Sequence, residues 1–162
     1  KLKPFFTGGT GSDSLNLNMP RQLPDLYEPA SHDIVSISAL NASLSWIIEQ
    51  SVKKIYIHKK ELTDYAVQRL SELSSVTLFL PENRKNHIAI ISLTHTNYRP
   101  EELADILDND FDIAVRSGYH CAPYVHKLIG TEDSGGTVRI SIGYYNTKND
   151  IDSLINALRE LD

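Results

Sequence analysis

The sequence predicts an α/β fold in which a mostly antiparallel sheet is covered by helices on one face. Two observations carry this prediction. Four short runs are rich in β-branched and apolar residues, and they alternate with segments in which apolar residues recur at helical spacing. From residue 58 onward the predicted order is helix, strand, strand, helix, strand, strand, helix. The hydrophobic fraction of 41% is ordinary for a globular protein, so a core is available.

The helices are predicted from the period of their apolar residues. Residues 1–33 contain several glycines and prolines without such a period, so this stretch is expected to be irregular. Pro100, followed by two glutamates, suits the start of a helix. In chain order, the predicted helices span residues 34–49, 59–73, 100–107 and 148–161.

The strands are predicted from short apolar runs bounded by turn residues, and they span residues 76–80, 87–93, 112–116 and 137–142. Alternation within the last strand places Arg139 on the same face as Thr137 and Ser141. Val138 and Ile140 then lie on the opposite face. Arg139 is therefore either a solvent-facing arginine or a guanidinium that grips a substrate carboxylate in bidentate fashion.

Composition excludes several classes of partner. The net charge is −5 and there is no basic run, which argues against nucleic acid and against an anionic membrane. No apolar stretch approaches the roughly 18 residues needed to span a bilayer. A single cysteine favours a reducing, cytoplasmic setting. The chain opens on Lys1 and runs directly into a glycine loop, so we expect it to be a piece of a longer polypeptide.

The single cysteine, Cys121, lies in the segment Arg116-Ser-Gly-Tyr-His-Cys-Ala-Pro. It can serve core packing, nucleophilic chemistry or metal binding. Arg116 and a protonated His120 would favour the reactive thiolate. Because a strand is predicted to end just before it, we expect the sulfur on an exposed loop, where chemistry is usually housed.

Other motifs leave alternatives open. The loop Thr7-Gly-Gly-Thr-Gly-Ser12 can cradle a phosphate through its amides and hydroxyls, but a flexible connector has the same composition. His120, Cys121 and His126 lack the spacing of a zinc site, so no metal is expected. His126 is expected only to start or cap the segment that follows it. A tyrosine-phosphatase loop is excluded because Lys127 stands where that chemistry needs an arginine.

Three blocks resemble the pyridoxal phosphate (PLP)-dependent cysteine desulfurases of the class V aminotransferase family. The block Asp112-Ile-Ala-Val-Arg-Ser-Gly-Tyr-His-Cys-Ala-Pro is similar to the family's sulfur-accepting cysteine region. Gly136-Thr-Val-Arg-Ile-Ser-Ile-Gly-Tyr-Tyr-Asn-Thr resembles its closing strand and loop. The opening glycine loop and Leu23-Pro-Asp-Leu-Tyr-Glu28 resemble the stretch after its PLP lysine. The resemblance covers essentially the whole chain.

The resemblance implies the small C-terminal domain of a fold-type I PLP-dependent transferase over residues 51–162. Residues 1–50 would then be a remnant of the large PLP-binding domain. None of the lysines has the setting of the family's Schiff-base lysine, so we expect the chain to be inactive alone. PLP is accordingly expected in the full-length enzyme and not in this piece.

By the same resemblance, the full enzyme removes sulfur from L-cysteine, leaves L-alanine and forms a persulfide on Cys121. The sulfur would pass to an acceptor protein, as in iron-sulfur cluster assembly. Arg139 would bind the substrate carboxylate, while Arg116 and His120 would give electrostatic and proton-handling support. The implied assembly is a homodimer.

The cofactor phosphate would be held by Gly9, Thr10 and Ser31, which are implied cofactor-binding residues. Here the sequence departs from the family pattern, since Pro29 and Ala30 replace a small residue and a glycine, and Asp33 replaces an asparagine. An aspartate close to a phosphate repels it, so this departure predicts weaker cofactor binding.

Alternatives to the desulfurase reading remain. One is a catalytically dead or stand-alone module for subunit association or persulfide carriage. Another is a selenocysteine lyase, and a third is an aminotransferase-fold protein in which Cys121 is incidental.

Overall fold

A computed structural model of the protein describes residues 2–162, and Lys1 lies outside them. The chain divides into two compact units, Lys1–Gln50 and Ser51–Asp162. The predicted identity of the first unit as part of a larger cofactor-binding domain stays a prediction. Among the described residues, no helix combines the length and the hydrophobicity that crossing a membrane requires.

The first unit is an irregular segment followed by one helix. Residues 2–33 contain no helix or strand, as predicted, and are held by turns and by bonds such as Ala30 N–H to the Gly9 carbonyl at 2.8 Å. Helix α1 spans Ile34–Gln50, which confirms the predicted helix. Asp33 caps it, because its carboxylate accepts the Ser36 amide at 3.0 Å. No residue of α1 is buried.

The second unit contains the sheet and the remaining helices described by the structure. In chain order the helices are α2 (Val52–Leu70), α3 (Pro100–Phe111), α4 (Pro123–Ile129) and α5 (Lys148–Glu160), with a 3₁₀ turn at Arg84–Asn86. The strands are β1 (Val76–Phe79), β2 (Ile90–His95), β3 (Arg116–Gly118) and β4 (Thr137–Ser141). They form an antiparallel sheet in the order β1-β2-β4-β3. The predicted α/β class with an antiparallel sheet is confirmed.

The core lies between one face of this sheet and helices α2, α3 and α5. Strand β4 shows why the sheet has two unlike faces, since Val138 and Ile140 are buried while Arg139 between them is only partly covered. This confirms the predicted alternation. Fully buried members of the core include Leu70, Ile91, Leu93, Leu103, Leu107, Ile155 and Leu158.

One strand prediction was largely wrong. Residues 112–115 form no strand, because α3 continues to Phe111, four residues beyond Leu107 on the same apolar stripe. Asp112 then ends the helix in the left-handed conformation, at φ 55°. Ile113 and Val115 pack against the core, and pairing with β4 begins only at Arg116.

Other boundaries moved for local reasons. Helix α2 begins at Val52 rather than near residue 59, since its lysine-rich first turns favour helix without showing an apolar period. Strand β2 begins at Ile90 rather than at residue 87, because His87 and Ile88 make local hydrogen bonds to Ile90 instead of ladder bonds. Helix α4 was not predicted, since seven residues are too few for periodicity to identify.

Strands β3 and β4 start their pairing at a close approach of two glycines. A Cβ added to Gly136 would lie 2.3 Å from the Gly118 carbonyl oxygen. Gly118 and Gly136 also have φ values of 97° and 95°, which side-chain-bearing residues rarely adopt. Glycine is therefore required at residue 136 for space as well as for conformation.

We predict that Gly136→Ala lowers the free energy of unfolding by about 3 kcal/mol, since it combines backbone strain with a steric clash. Gly130→Ala is the matched control, because φ there is 74° but an added Cβ meets no atom within 4 Å. This control should cost only about 1 kcal/mol. Urea denaturation of both variants measures the difference, and equal losses would show that the contact with Gly118 is unimportant.

Candidate functional site

Strand register places four side chains in one row across the sheet. Phe79 pairs with Ser92, Ser92 with Arg139, and Arg139 with Arg116. Directly opposed residues project from the same face, so the row lies on the face away from the core. Two arginines are thus direct cross-strand neighbours. Because like charges in such positions repel, this end of the row favours a bound anion.

Arg139 has no anionic partner among residues 2–162. No hydrogen bond or ion pair joins its guanidinium to another residue in the described part of the chain, and its Nε is buried without a partner. A buried guanidinium N–H without an acceptor is costly, so an acceptor from outside the described residues suits this position. The geometry fits the carboxylate-gripping alternative for Arg139.

Cys121 lies on the loop that follows β3, and its side chain is exposed, as the sequence predicted. The Arg116 Nη2 atom donates toward its sulfur at 3.6 Å. His120 and Cys121 both adopt left-handed backbone conformations, at φ 52° and 59°. Two consecutive strained residues that are not glycine are typical of functional loops. The guanidinium places a positive charge beside the sulfur.

His120 turns back from the loop onto β4. Its Nε2 lies 3.1 Å from both the carbonyl oxygen and the hydroxyl of Thr137. A carbonyl can only accept, so we assign the hydrogen of the neutral ring to Nε2. The lone pair is then on Nδ1, which is buried and has no hydrogen-bond partner in the part of the chain that the structure describes.

Burial lowers the pKa of His120, and the positive charges of Arg139 and Arg116 lower it further, while the bond to the Thr137 carbonyl opposes them. The lowered pKa favours the neutral ring at neutral pH. This argues against the expectation of a protonated His120 beside the thiol. The positive charge beside the thiol belongs to Arg116, and a neutral His120 ring has a nitrogen lone pair that is able to accept a proton.

A cavity of about 530 Å³ opens between this face of the sheet and α4. Its polar lining consists of Ser92, His120, His126, Thr137 and Arg139. Its apolar lining consists of Leu78, Phe79, Leu80, Ala122, Val125 and Ile129. Two of the predicted site residues, His120 and Arg139, therefore line one cavity, and the Arg116–Cys121 pair lies next to it through the strand register and the loop.

His126 is a residue of this site to which the sequence assigned no such role. It is buried in α4, its Nδ1 lies 2.7 Å from the Thr131 hydroxyl, and its ring packs 5.8 Å from that of His120 and 5.4 Å from that of Tyr119. These contacts cross the end of α4, which sequence periodicity did not reveal. Within residues 2–162, no group of three or more histidine, cysteine or acidic side chains could hold a metal ion.

The predicted phosphate-binding residues lie in the first unit. The Ala30–Gly9 hydrogen bond brings Gly9 and Thr10 close to Ser31 in space, although about twenty positions separate them in sequence. The Ser31 side chain is exposed, and the Thr10 hydroxyl lies 2.8 Å from that of Ser12. Hydroxyls grouped in this way fit a phosphate as hydrogen-bond donors.

Asp33 is less adverse to a phosphate than its sequence position suggests. Its carboxylate accepts hydrogen bonds from the Ser36 amide and hydroxyl at 3.0 and 2.5 Å, and these bonds lower the pKa of the carboxyl group. The charge is present, but it interacts with the amino terminus of α1, whose dipole stabilises it. The residues of this loop therefore fit a PLP phosphate, although the negative charge of Asp33 makes the electrostatic attraction for it weaker.

The sequence matches the aminotransferase class-V family over residues 1–154. It is 33% identical over 99% of its length to a probable cysteine desulfurase of Halalkalibacterium halodurans, of which it covers 38%. It is 31% identical, again over 99% of its length, to a probable cysteine desulfurase of Methanothermobacter thermautotrophicus, of which it covers 40%. The chain thus spans about two fifths of the length of these curated relatives.

Solved structures agree with the sequence relatives. The apo cysteine desulfurase of Thermococcus onnurineus matches 85% of this chain with a TM-score of 0.76 and 30% identity, over 33% of that structure. The Escherichia coli cysteine desulfurase CsdA, in its S-sulfonic acid form, matches 98% of this chain with a TM-score of 0.78, over 38% of that structure. At 21% identity the second likeness shows the fold alone.

We predict that Arg139→Gln raises the pKa of His120, because it removes a positive charge that disfavours the protonated ring. NMR titration of the His120 ring nitrogens measures the shift. Arg159→Gln is the control, since Arg159 pairs with Glu72 on the helical side of the unit and should leave the His120 pKa unchanged. An unchanged pKa in Arg139→Gln would show that the two groups are electrostatically independent.

Proposed function

Because this chain belongs to the aminotransferase class-V family, we propose that it is the cysteine- and arginine-bearing part of a cysteine desulfurase. The complete enzyme would take sulfur from L-cysteine and release L-alanine. Two kinds of evidence support this. The curated relatives cited above are named as cysteine desulfurases. Within residues 2–162, an arginine without an ion-pair partner lies on the face of the sheet described above, and an exposed cysteine lies on the loop next to it.

One observation carries the proposal: Arg116 lies between the Cys121 thiol and Arg139, the arginine proposed to bind the carboxylate. Arg116 contacts the Cys121 sulfur at 3.6 Å and is the cross-strand partner of Arg139. Opposed residues in a sheet have Cβ atoms about 5 Å apart. A substrate as small as cysteine can therefore have its carboxylate at Arg139 while its sulfur stays near Cys121.

Each residue has a distinct role in the proposed reaction. Arg139 holds the carboxylate through its planar fork, which fixes the orientation of the amino acid. Arg116 stabilises the Cys121 thiolate and then the persulfide anion that replaces it. The neutral His120 ring accepts a proton at Nδ1 while the sulfur moves.

The sulfur transfer balances without an external oxidant. The bond between the substrate β-carbon and its sulfur breaks, a bond between that sulfur and Cys121 forms, and L-alanine and a persulfide result from L-cysteine and a thiol. PLP, when bound, supplies the electron sink for breaking the carbon–sulfur bond. Gly9, Thr10 and Ser31 would hold its phosphate group.

The proposal includes three properties of the whole protein. An exposed Cys121 persulfide would pass its sulfur to an acceptor protein, with iron-sulfur cluster assembly as one destination. The complete enzyme would act as a homodimer. A reactive thiol of this kind also suits a reducing, cytoplasmic compartment.

We expect Cys121→Ser in the full-length protein to abolish sulfide release from L-cysteine while the PLP absorbance is unchanged, because the sulfur loses its acceptor. Tyr124→Phe, close by at another exposed position with the cysteine retained, should keep its activity. Unchanged turnover in Cys121→Ser would contradict the persulfide role. It would favour the alternative of an aminotransferase-fold protein in which Cys121 is incidental.

We expect Arg139→Gln in the full-length protein to lower kcat/KM for L-cysteine by about 100-fold, the loss of a charge-assisted hydrogen-bond pair. The kcat/KM of Arg139→Lys should lie between the values of the unaltered enzyme and of Arg139→Gln, because lysine keeps the positive charge but lacks the planar guanidinium. Steady-state kinetics of alanine formation gives the values. An unaltered kcat/KM in both variants would place the substrate carboxylate elsewhere.

A further inference from the structure

The cavity beside Arg139 has unlike ends. Its unpartnered polar atoms, Arg139 Nε and His120 Nδ1, belong to one end. The apolar lining includes Phe79, which lies two strands away from Arg139, and Val125 and Ile129 of α4. Val125 and Ile129 are four residues apart on a helix, so their side chains share a face and form one apolar wall.

The distance between the two ends follows from the sheet. Phe79 and Arg139 belong to the same cross-strand row, with Ser92 between them. Adjacent strands lie 4.7–4.9 Å apart, so two steps across the sheet separate the backbones of Phe79 and Arg139 by about 10 Å. The side chain of a cysteine molecule bound at Arg139 is too short to span this separation.

A ligand that complements the whole cavity therefore has a carboxylate at one end and an apolar group at the other. The volume of about 530 Å³ falls within the range of sites that enclose small organic molecules. The carboxylate would meet the Arg139 guanidinium, and the apolar group would leave water for Phe79 and the α4 wall.

We infer that this cavity binds carboxylic acids, α-amino acids included, that carry an extended apolar group. The inference rests on the proposed function in one respect, the role of Arg139 as the carboxylate-binding residue. It goes beyond that function in assigning a second recognition element, the wall formed by Phe79, Val125 and Ile129. Such acids would compete with L-cysteine for the Arg139 end.

The test compares propionate with 3-phenylpropionate as probes, titrated into the full-length protein by calorimetry. We expect 3-phenylpropionate to bind at least about tenfold more tightly, because its ring is buried at the apolar end. It should also inhibit turnover of L-cysteine competitively. Equal affinities, or no binding of 3-phenylpropionate, would overturn the inference.

Two variants of α4 locate the binding. Val125→Asn should remove most of the advantage of 3-phenylpropionate without altering propionate binding. Leu128→Asn is the matched control on the same helix, since Leu128 is exposed and does not line the cavity. Both positions are exposed, at 50% and 86%, so neither substitution threatens the fold. Equal effects of the two variants would contradict the assigned wall.

Arg139→Gln separates the inference from the function on which it rests. Suppose that the unaltered protein binds propionate and 3-phenylpropionate equally tightly and that Arg139→Gln binds neither acid. The proposed carboxylate role then stands and the inference fails. If both acids bind Arg139→Gln as tightly as the unaltered protein, the carboxylate role itself fails. Suppose instead that the unaltered protein binds 3-phenylpropionate more tightly than propionate and that Arg139→Gln binds neither acid. This result supports both the carboxylate role of Arg139 and the inference.

Discussion

The antiparallel pairing of β3 with β4 is the constraint on which the rest of the site depends. It makes Arg116 and Arg139 direct neighbours on one face, and the close approach of Gly118 and Gly136 fixes where that pairing begins. A slip of β3 by one residue would turn Arg116 toward the core while Arg139 kept its face. Since no acidic side chain within residues 2–162 pairs with either arginine, the sheet presents two positive charges that an anion can satisfy.

Cys121 and His120 are neighbours in sequence but differ in burial, and this difference gives them different chemical properties. Cys121 stays exposed, where a sulfur can be received and passed on, and it keeps a guanidinium as its partner. His120 is one residue away but is drawn onto Thr137, where burial and the same arginines keep its ring neutral. Adjacent residues thus differ in role because one faces solvent and the other faces a cavity.

The first unit supplies a different kind of site. Gly9, Thr10 and Ser31 come together through one backbone hydrogen bond, and Asp33 directs its charge into the start of α1. Their roles as phosphate ligands stay predictions. The chain belongs to the aminotransferase class-V family, and the hydroxyls of the first unit would suit the phosphate of the proposed cofactor.

The sequence alone was sufficient wherever the signal is local. The period of α1 and α5, the alternation around Arg139 and the exposed loop of Cys121 each follow from residues close in the chain. Residues 112–115 were assigned to a strand because an apolar run does not reveal whether it has a ladder partner. The tertiary structure alone decided the cross-strand pair of arginines, the burial of His126 and the neutral state of His120. Register, desolvation and charge proximity depend on groups far apart in sequence, so no local pattern contains them.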